Sequence, residues 1–339
     1  MKLVFCGTPQ FAVPTLETLR AAGHEIALVV TQPDRPVGRD RQLTAPPVKQ
    51  TALAAGIPVT QPEKIRNNQE FRGQLEAIAP DAIVVVAYGR LIPAWMLALP
   101  RLGCINLHAS LLPKYRGAAP IQWAVARGET VTGNTTMLLE EGLDTGPILL
   151  QEELEIAPEQ TAADLFTVLA ERGAPLVART LAGLEDGTVK PTPQRHEGAT
   201  LAPILNREDG CMEFTAHTAT ELKNRWRGFQ PWPGAFTALG GKKLIVHRME
   251  VRNQGPGTRD QGSEIRKDQL VEPDSLNLPA EAEPGRIHVE GQRLFVACAG
   301  KSWLELIEVQ LEGKKRLAAA EFLRGNALPA GTRLENAAG

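Results

Sequence analysis

Residues 81–87 read Asp-Ala-Ile-Val-Val-Val-Ala, and this stretch decides the fold. It is rich in the β-branched residues that favour strands, and it lacks the polar alternation of a strand with one solvent-exposed face. Continuous apolar strands of this kind are typical of parallel sheets that are covered on both faces. We therefore predict a buried strand here.

Other apolar runs alternate with amphipathic stretches on both sides of this strand. We predict strands over Leu3–Cys6, Glu25–Thr31, Cys104–His108, Thr136–Leu139 and Ile148–Glu155, and helices over Phe11–Ala22, Gln69–Ile78 and, with an interruption at Pro175, Thr161–Leu184. Strands that are spaced by helices in this way predict an α/β domain, Rossmann-like, with a parallel-rich sheet.

The chain changes character after residue 189. Residues 190–206 are rich in Pro, Gly and Thr, and we predict a linker between a first domain (1–189) and a second domain (207–330). The second domain contains short apolar segments broken by glycines and charges, which suggests a small β-barrel. Residues 252–285 contain few large apolar side chains, so we predict an extended surface loop there.

Composition excludes several classes of protein. With 37 basic and 39 acidic residues the net charge is −2, so any nucleic-acid partner must be met by a local basic patch. No apolar run is long enough to span a membrane and no signal peptide is visible, so we expect a cytoplasmic protein without a membrane partner. The four cysteines form no C-x-x-C pair, so we expect neither a metal site nor disulfides.

A candidate site follows from the strand at Cys104–His108. Side chains alternate along a strand, so Asn106 and His108 point to the same face. They lie at the carboxyl end of the strand, where open α/β sheets bind their ligands. Asp144 lies in a turn between Gly142 and Gly146 that is able to return over the sheet edge. The first strand leads into Gly7-Thr8-Pro9 and not into G-x-G-x-x-G, which argues against a dinucleotide site.

Two longer motifs resemble the folate-dependent formyltransferases. They are INLHASLLPKYRGAAPIQWA at 105–124 and EEGLDTGPIL at 140–149. Further stretches resemble the branch of this family that acts on methionyl-tRNA. These are GTPQFAVPTLETL at 7–19, TQPDRPVGRDRQL at 31–43, VVVAYGRLIP at 84–93, RGFQPWPGAF at 227–236 and LEGKKRLAAAEFLRG at 311–325. The resemblance covers nearly the whole chain and is weakest at 252–285.

The resemblance implies transfer of the formyl group of 10-formyltetrahydrofolate to the α-amino group of methionyl-initiator tRNA. It makes Asn106, His108 and Asp144 catalytic, and leaves open which group acts as the general base. The residues that it places against the folate co-substrate are Tyr88, Gly89, Ser110, Leu111, Leu112 and Pro113. No covalent intermediate with the enzyme is expected, because the group passes directly from donor to acceptor in this family.

The same resemblance assigns contacts with initiator tRNA. Arg39 and Arg41 lie in the 31–49 loop, which is expected to read the acceptor stem. The second domain resembles an OB-like barrel, where Lys223 and Arg227 are expected to meet phosphates. We expect a monomer. Two alternatives stay open: a formyltransferase for a small amine, and an inert folate- or RNA-binding regulator on the same scaffold.

Arg39→Ala should weaken the use of methionyl-tRNA while leaving folate binding unchanged. The reason is electrostatic, because the charge of this loop is expected to face RNA and not the pterin. Steady-state kinetics with each substrate varied in turn measure the effect. A variant that lost folate affinity but used tRNA normally would show that the loop is assigned wrongly.

Overall fold

The computed structural model describes residues 1–38, 42–252, 278–279 and 281–335, and the chain divides into two compact units. The first comprises Met1–Val125 with Glu129–Ile204, and the second comprises Ala126–Gly128 with the chain from Leu205 onward. Most of the segment predicted as an extended surface loop lies outside the described residues. Within the described ranges, no helix is both long and apolar enough to cross a membrane.

The first unit alternates strands with helices, as the sequence predicts. Its strands are β1 (Lys2–Gly7), β2 (Glu25–Val30), β3 (Arg35–Val37), β4 (Gln42–Thr44), β5 (Val59–Thr60), β6 (Ala82–Val86), β7 (Cys104–His108), β8 (Val131–Leu138) and β9 (Ile148–Glu155). Its helices are α1 (Val13–Ala21), α2 (Pro47–Ala54), α3 (Gln69–Ile78), α4 (Ala94–Leu97), α5 (Pro120–Ala126) and α6 (Ala162–Glu185), with a 3-10 turn over Gln10–Ala12 before α1.

Seven of these strands form one sheet in the order β5-β2-β1-β6-β7-β8-β9. The first five strands in this order, β5 to β7, pair in parallel, whereas β8 pairs antiparallel with both of its neighbours, β7 and β9. The chain leaves β1 toward β2 on one side and returns to β6 on the other, so the strand order reverses between β1 and β6. A reversal of this kind opens a crevice at the carboxyl ends of the strands. The predicted Rossmann-like, parallel-rich domain is confirmed.

The apolar run at 81–87 is buried because β6 carries a hydrophobic core on each face. Val84 and Val86 belong to one buried cluster, and Ile83 and Val85 belong to the other. Every residue of β6 is buried. Burial of each such side chain contributes about 1.5–3 kcal/mol relative to exposure. The middle of the sheet is therefore a rigid support for the loops at its carboxyl edge.

Helix α6 differs from the prediction, because it continues through Pro175 without interruption. A proline inside a helix costs about 3 kcal/mol. Four buried side chains of this helix, Leu165, Leu169, Val177 and Leu181, pack into the core of the sheet, and their burial outweighs that cost.

The second unit is a small β domain, and its described part includes the helices α7 (Ala219–Gly228) and α8 (Ala319–Gly325). Its strands are β10 (Phe236–Leu239), β11 (Lys242–Arg252), β12 (Ile287–Glu290), β13 (Arg293–Cys298), β14 (Ser302–Leu311) and β15 (Leu317–Ala318). Five of them form an antiparallel sheet in the order β10-β11-β14-β13-β12, and β15 pairs with β14.

Residues 332–335 connect the two edges of this sheet. Glu335 and Ala238 of β10 exchange backbone hydrogen bonds of 3.0 and 2.9 Å. On the other edge, the Ile287 amide of β12 donates to the Thr332 carbonyl at 2.9 Å. The sheet is thus bridged from edge to edge, which agrees with the predicted OB-like domain.

A buried carboxylate links three strands of the second unit, β11, β13 and β14. Glu305 of β14 accepts hydrogen bonds from Arg252 at 2.7 Å and from Arg293 at 2.8 Å on both of its oxygens. Burial alone would raise the pKa of the Glu305 carboxyl, but the hydrogen bonds from Arg293 and Arg252 outweigh burial and lower the pKa. Glu305 is therefore ionised at neutral pH.

Glu305→Gln should destabilise the protein in a pH-dependent way. The variant removes the charged acceptor that the two arginines share, which costs about 1–3 kcal/mol at neutral pH. The arginines are partly exposed, so solvent screening keeps the loss near the lower end of that range. Because the folded-state pKa is depressed, the contribution of Glu305 is fully present above the unfolded-state pKa of about 4.3 and is lost as the pH falls through the folded-state value.

Urea unfolding at about pH 7 and about pH 3.5 measures the difference between wild type and variant. The matched control is Glu321→Gln, whose exposed carboxylate lies 3.9 Å from Arg324 and should change stability by less than about 0.5 kcal/mol. An equal loss at both pH values would contradict the assignment.

Candidate active site

The carboxyl edge of the first sheet bears a cavity of about 930 Å³. Its walls come from the turn after β1, from the loops after β6 and β7, from the β8–β9 loop and from α6. The lining residues include Phe11, Ala87, Tyr88, Gly89, Arg90, Leu91, Ile92, Trp95, Asn106, His108, Gly117, Leu139, Leu143, Asp144 and Phe166. Asn106, His108 and Asp144 thus lie on one cavity, although Asp144 is 36 positions beyond His108 in the chain.

His108 is buried at the end of β7 and is held from both sides of its ring. Its Nε2 atom lies 2.9 Å from the carbonyl oxygen of Tyr115. A carbonyl only accepts hydrogen bonds, so Nε2 carries the proton of the neutral ring. The other nitrogen, Nδ1, lies 3.7 Å from Oδ2 of Asp144. The basic nitrogen of His108 therefore faces a carboxylate.

Asp144 is fixed by its own backbone and by the neighbouring loop. Its Oδ2 accepts a hydrogen bond of 2.8 Å from the Gly117 amide. Its φ angle is +50°, in the left-handed region that side-chain-bearing residues seldom adopt. Tyr115, at +62°, and Ala87, at +45°, share this conformation beside the cavity. Backbone strain of this kind clusters at functional sites, where surrounding contacts maintain it.

Gln194 is a residue at the site that the sequence analysis missed. It lies in the segment predicted as a linker, yet its side-chain amide donates to the Asp144 carbonyl at 2.9 Å and to the Gly146 carbonyl at 2.7 Å. Residues 190–204 belong to the first unit, where Thr192 exchanges two backbone hydrogen bonds of 2.8 Å with Ile148. A glutamine between prolines and charges has no sequence signal for this role, because its partners are about 50 positions away.

Asn106 lies on the same strand face as His108 and is partly exposed to the cavity. Its side-chain amide has no hydrogen-bond partner in the described part of the chain. A free amide beside a buried imidazole is able to donate to an oxygen atom of a ligand in the cavity.

The residues predicted to contact folate fall into two groups. Tyr88 and Gly89 line the cavity, and burial raises the pKa of the Tyr88 phenol well above its usual value, so the phenol stays protonated at neutral pH. The residues Ser110, Leu111, Leu112 and Pro113 are not among those that line it. The Ser110 hydroxyl donates to the Lys114 carbonyl at 2.7 Å, and the Leu112 amide donates to Thr135 at 3.1 Å. These contacts shape the loop that carries Tyr115 and Gly117.

Of the four residues predicted to contact tRNA, the structure describes two, and both are buried. Arg39 and Arg41 lie outside the described residues. Lys223 and Arg227, both on α7, are only 9% and 5% exposed. The Lys223 ammonium lies 2.9 Å from Glu250, and the Arg227 guanidinium donates to Asn224 at 2.7 Å. The structure gives no support for direct phosphate contacts by this pair, because such contacts require charges exposed to solvent.

Comparison with known families decides the classification. Residues 1–181 match the formyl transferase family, and residues 204–327 match the formyl transferase C-terminal domain. The chain belongs to the formyl transferase family. The membership predicted from the sequence motifs is confirmed, and the cavity with Asn106, His108 and Asp144 lies in the part that matches the first of these two domains.

Curated members of the formyl transferase family match the chain over its length. The methionyl-tRNA formyltransferase of Acidobacterium capsulatum is 65% identical over 334 residues, which cover 98% of this chain and 99% of the relative. The methionyl-tRNA formyltransferase of Koribacter versatilis is 54% identical over 325 residues, with 96% of each chain covered.

Solved formyl transferases share the fold. A sugar 3N-formyl transferase crystallised with dTDP and 5-N-formyl-THF superposes with a TM-score of 0.60 at 16% identity, covering 93% of this chain and 99% of that one. The N-formyltransferase of Helicobacter canadensis, in complex with folinic acid and dTDP-3-aminofucose, superposes with a TM-score of 0.60 at 17% identity, covering 90% and 98%.

Asp144→Asn should lower the rate of formyl transfer by about 10²–10⁴-fold, the usual contribution of a positioned acid–base group. The substitution preserves the shape of the side chain, so circular dichroism and the melting temperature should change little. Single-turnover formyl transfer measures the loss. The control is Glu171→Gln, which neutralises an exposed carboxylate on α6 and should leave the rate unchanged. A rate within threefold of wild type would remove Asp144 from the chemistry.

Proposed function

We propose that this protein transfers the formyl group of 10-formyltetrahydrofolate to the α-amino group of methionyl-initiator tRNA, which yields N-formylmethionyl-tRNA for translation initiation. The observation that carries the proposal is the match to curated methionyl-tRNA formyltransferases over 96% or more of both chains. The match includes the second unit as well as the unit with the cavity. We assign catalysis to residues 1–189, a connecting role to 190–206 and tRNA binding to 207–330.

The cavity fits a folate. Its volume of about 930 Å³ lies within the range of pockets that hold drug-sized ligands. Apolar side chains and the backbone of the loop after β6 form one wall, which suits a flat pterin with its aminobenzoyl group. Leu91, on this wall, is 80% exposed, and Leu143 on the β8–β9 loop is 55% exposed. A bound ligand would cover these two side chains, and formyl-folate compounds are present in two solved fold relatives.

The chemistry requires a neutral amine, a donor to the oxyanion and a proton for the leaving nitrogen. The amine attacks the formyl carbon, a new N–C bond forms, and the carbonyl oxygen becomes an oxyanion. The Asn106 amide donates to this oxygen, a type of interaction worth about 3–4 kcal/mol in comparable sites. The bond between the formyl carbon and N10 then breaks. The proton lost by the amine passes to N10, so the transfer consumes no net proton.

His108 and Asp144 move that proton. Because Nε2 is engaged with Tyr115, the exchangeable position of the ring is Nδ1, which faces Asp144 at 3.7 Å. The carboxylate stabilises the positive charge that develops when Nδ1 takes a proton.

Binding of tRNA falls to the 31–49 loop, through Arg39 and Arg41, and to exposed cations of the second unit. Lys242 on β11 is exposed, unlike Lys223 and Arg227. The protein acts in the cytoplasm, since its four cysteines are free, as thiols are in reducing compartments, and its acceptor is an aminoacylated RNA. We propose that it acts as a monomer; one chain supplies Asn106, His108 and Asp144, so the candidate site needs no residue from a second copy.

An acid-gel shift of methionyl-initiator tRNA, with and without 10-formyltetrahydrofolate, tests the proposal on the full-length protein. We expect donor-dependent formylation, and a KM for tRNA that rises steeply with salt because phosphate contacts release counterions. The KM for the folate should be nearly independent of salt.

Glycinamide ribonucleotide serves as the competing acceptor in the same assay. Efficient formylation of this small amine, without formylation of methionyl-tRNA, would overturn the proposal. A KM for tRNA that is unaffected by salt would remove the tRNA-binding role from the exposed cations.

A further inference from the structure

We infer that Gln194 is a positioning residue that holds Asp144 in its reactive geometry, with Arg116 fixing the orientation of the Gln194 amide. This inference rests on the proposed role of Asp144 in formyl transfer. It extends the site into the segment 190–206, beyond the three candidate catalytic residues.

The contacts of Gln194 admit one orientation of its amide. Its Oε1 accepts from Nε and Nη2 of Arg116 at 3.1 and 2.6 Å. Its Nε2 donates to the carbonyls of Asp144 and Gly146 at 2.9 and 2.7 Å. A guanidinium only donates and a carbonyl only accepts, so the oxygen must face Arg116 and the nitrogen must face the loop. All four hydrogen bonds form at once. A side chain at this position must accept from Arg116 and donate to the two carbonyls, and an amide of this length does both.

Burial makes these contacts strong. Gln194 is 9% exposed and Arg116 is 7% exposed. In the described chain, no carboxylate lies within ion-pair distance of Arg116, so the Gln194 oxygen is the acceptor that its guanidinium meets. Hydrogen bonds to a charged group in a buried place contribute more than neutral ones at the surface.

The position of the bridge explains its effect on Asp144. Asp144 is tied through its side chain to the Gly117 amide, and through its carbonyl to Gln194. Arg116 directly precedes Gly117 in the chain. Gln194 therefore connects the Arg116 side chain of one loop to the backbone of the other, and these are the two loops that Asp144 connects through its carboxylate. The left-handed φ of Asp144 is costly for a side-chain-bearing residue, and the two bonds from Gln194 stabilise the loop in that conformation.

The test compares Gln194→Ala and Gln194→Glu with wild type. Gln194→Ala should lower kcat by about 10²-fold, which is the effect expected of a misplacement of about 1 Å, with the KM for folate within twofold. Gln194→Glu keeps an acceptor for Arg116 but turns a second oxygen toward two carbonyls. It should therefore lose at least as much activity as Gln194→Ala. Recovery of kcat by Gln194→Glu to within threefold of wild type would overturn the inference.

A double-mutant cycle separates positioning from general stability. If Gln194 acts through Asp144, then Gln194→Ala in an Asp144→Asn background should cost less than twofold in single-turnover rate. The same loss in both backgrounds would overturn the inference. Asn134→Ala is the matched control, because this buried amide donates to the Leu169 carbonyl of α6 at 2.8 Å and not to either loop. It should lower the melting temperature but not kcat.

Hydrogen exchange at the Gly117 amide gives a readout that does not depend on activity. This amide donates to Asp144, so Gln194→Ala should speed its exchange by more than about 10-fold, and Asn134→Ala should not. Unchanged protection at Gly117 would overturn the inference. Failure of the proposed function is distinguishable, because it leaves wild type inactive toward methionyl-tRNA without affecting the exchange result.

Discussion

The hydrogen bond from the Gly117 amide to the Asp144 carboxylate is the contact on which the site depends. It joins the loop after β7, which carries Tyr115 and Gly117, to the loop between β8 and β9, which carries Asp144. With this bond formed, Oδ2 of Asp144 lies 3.7 Å from Nδ1 of His108. Tyr115, two positions before Gly117, holds the opposite ring nitrogen through its carbonyl. One short loop therefore fixes both the imidazole and the carboxylate.

The parallel sheet makes this arrangement possible. Strands β1, β6 and β7 end at the same edge, with Gly7 opposite Val86 and Val86 opposite Leu107. The strands beneath are buried on both faces, so the loops above them stand on a rigid base. The left-handed backbone at Ala87, Tyr115 and Asp144 is concentrated above that base. The buried strands of the sheet thus support the loops that contain the strained backbone.

Sequence reasoning predicted what depends on local pattern. Alternation along Cys104–His108 placed Asn106 and His108 on one face, and the glycines around Asp144 predicted a turn. It did not predict the partners of these residues, because Gln194 and Arg116 are separated by 78 positions and meet only in the folded chain. The continuous α6 and the burial of Lys223 and Arg227 were missed for a related reason. In α6, packing against the sheet outweighed the proline, which locally predicts a break in the helix. For Lys223 and Arg227, packing outweighed the positive charge, which locally predicts exposure to solvent.

The tautomer of His108 tests the central claim that the Tyr115 carbonyl directs the basic nitrogen toward Asp144. Nitrogen-15 NMR of protein labelled at its six histidines reports which ring nitrogen bears the proton, and the signals of His108 are identified by their loss in His108→Gln. The account predicts that neutral His108 carries its proton on Nε2 and leaves Nδ1 bare. A neutral ring protonated on Nδ1, with Nε2 bare against the Tyr115 carbonyl, would contradict it.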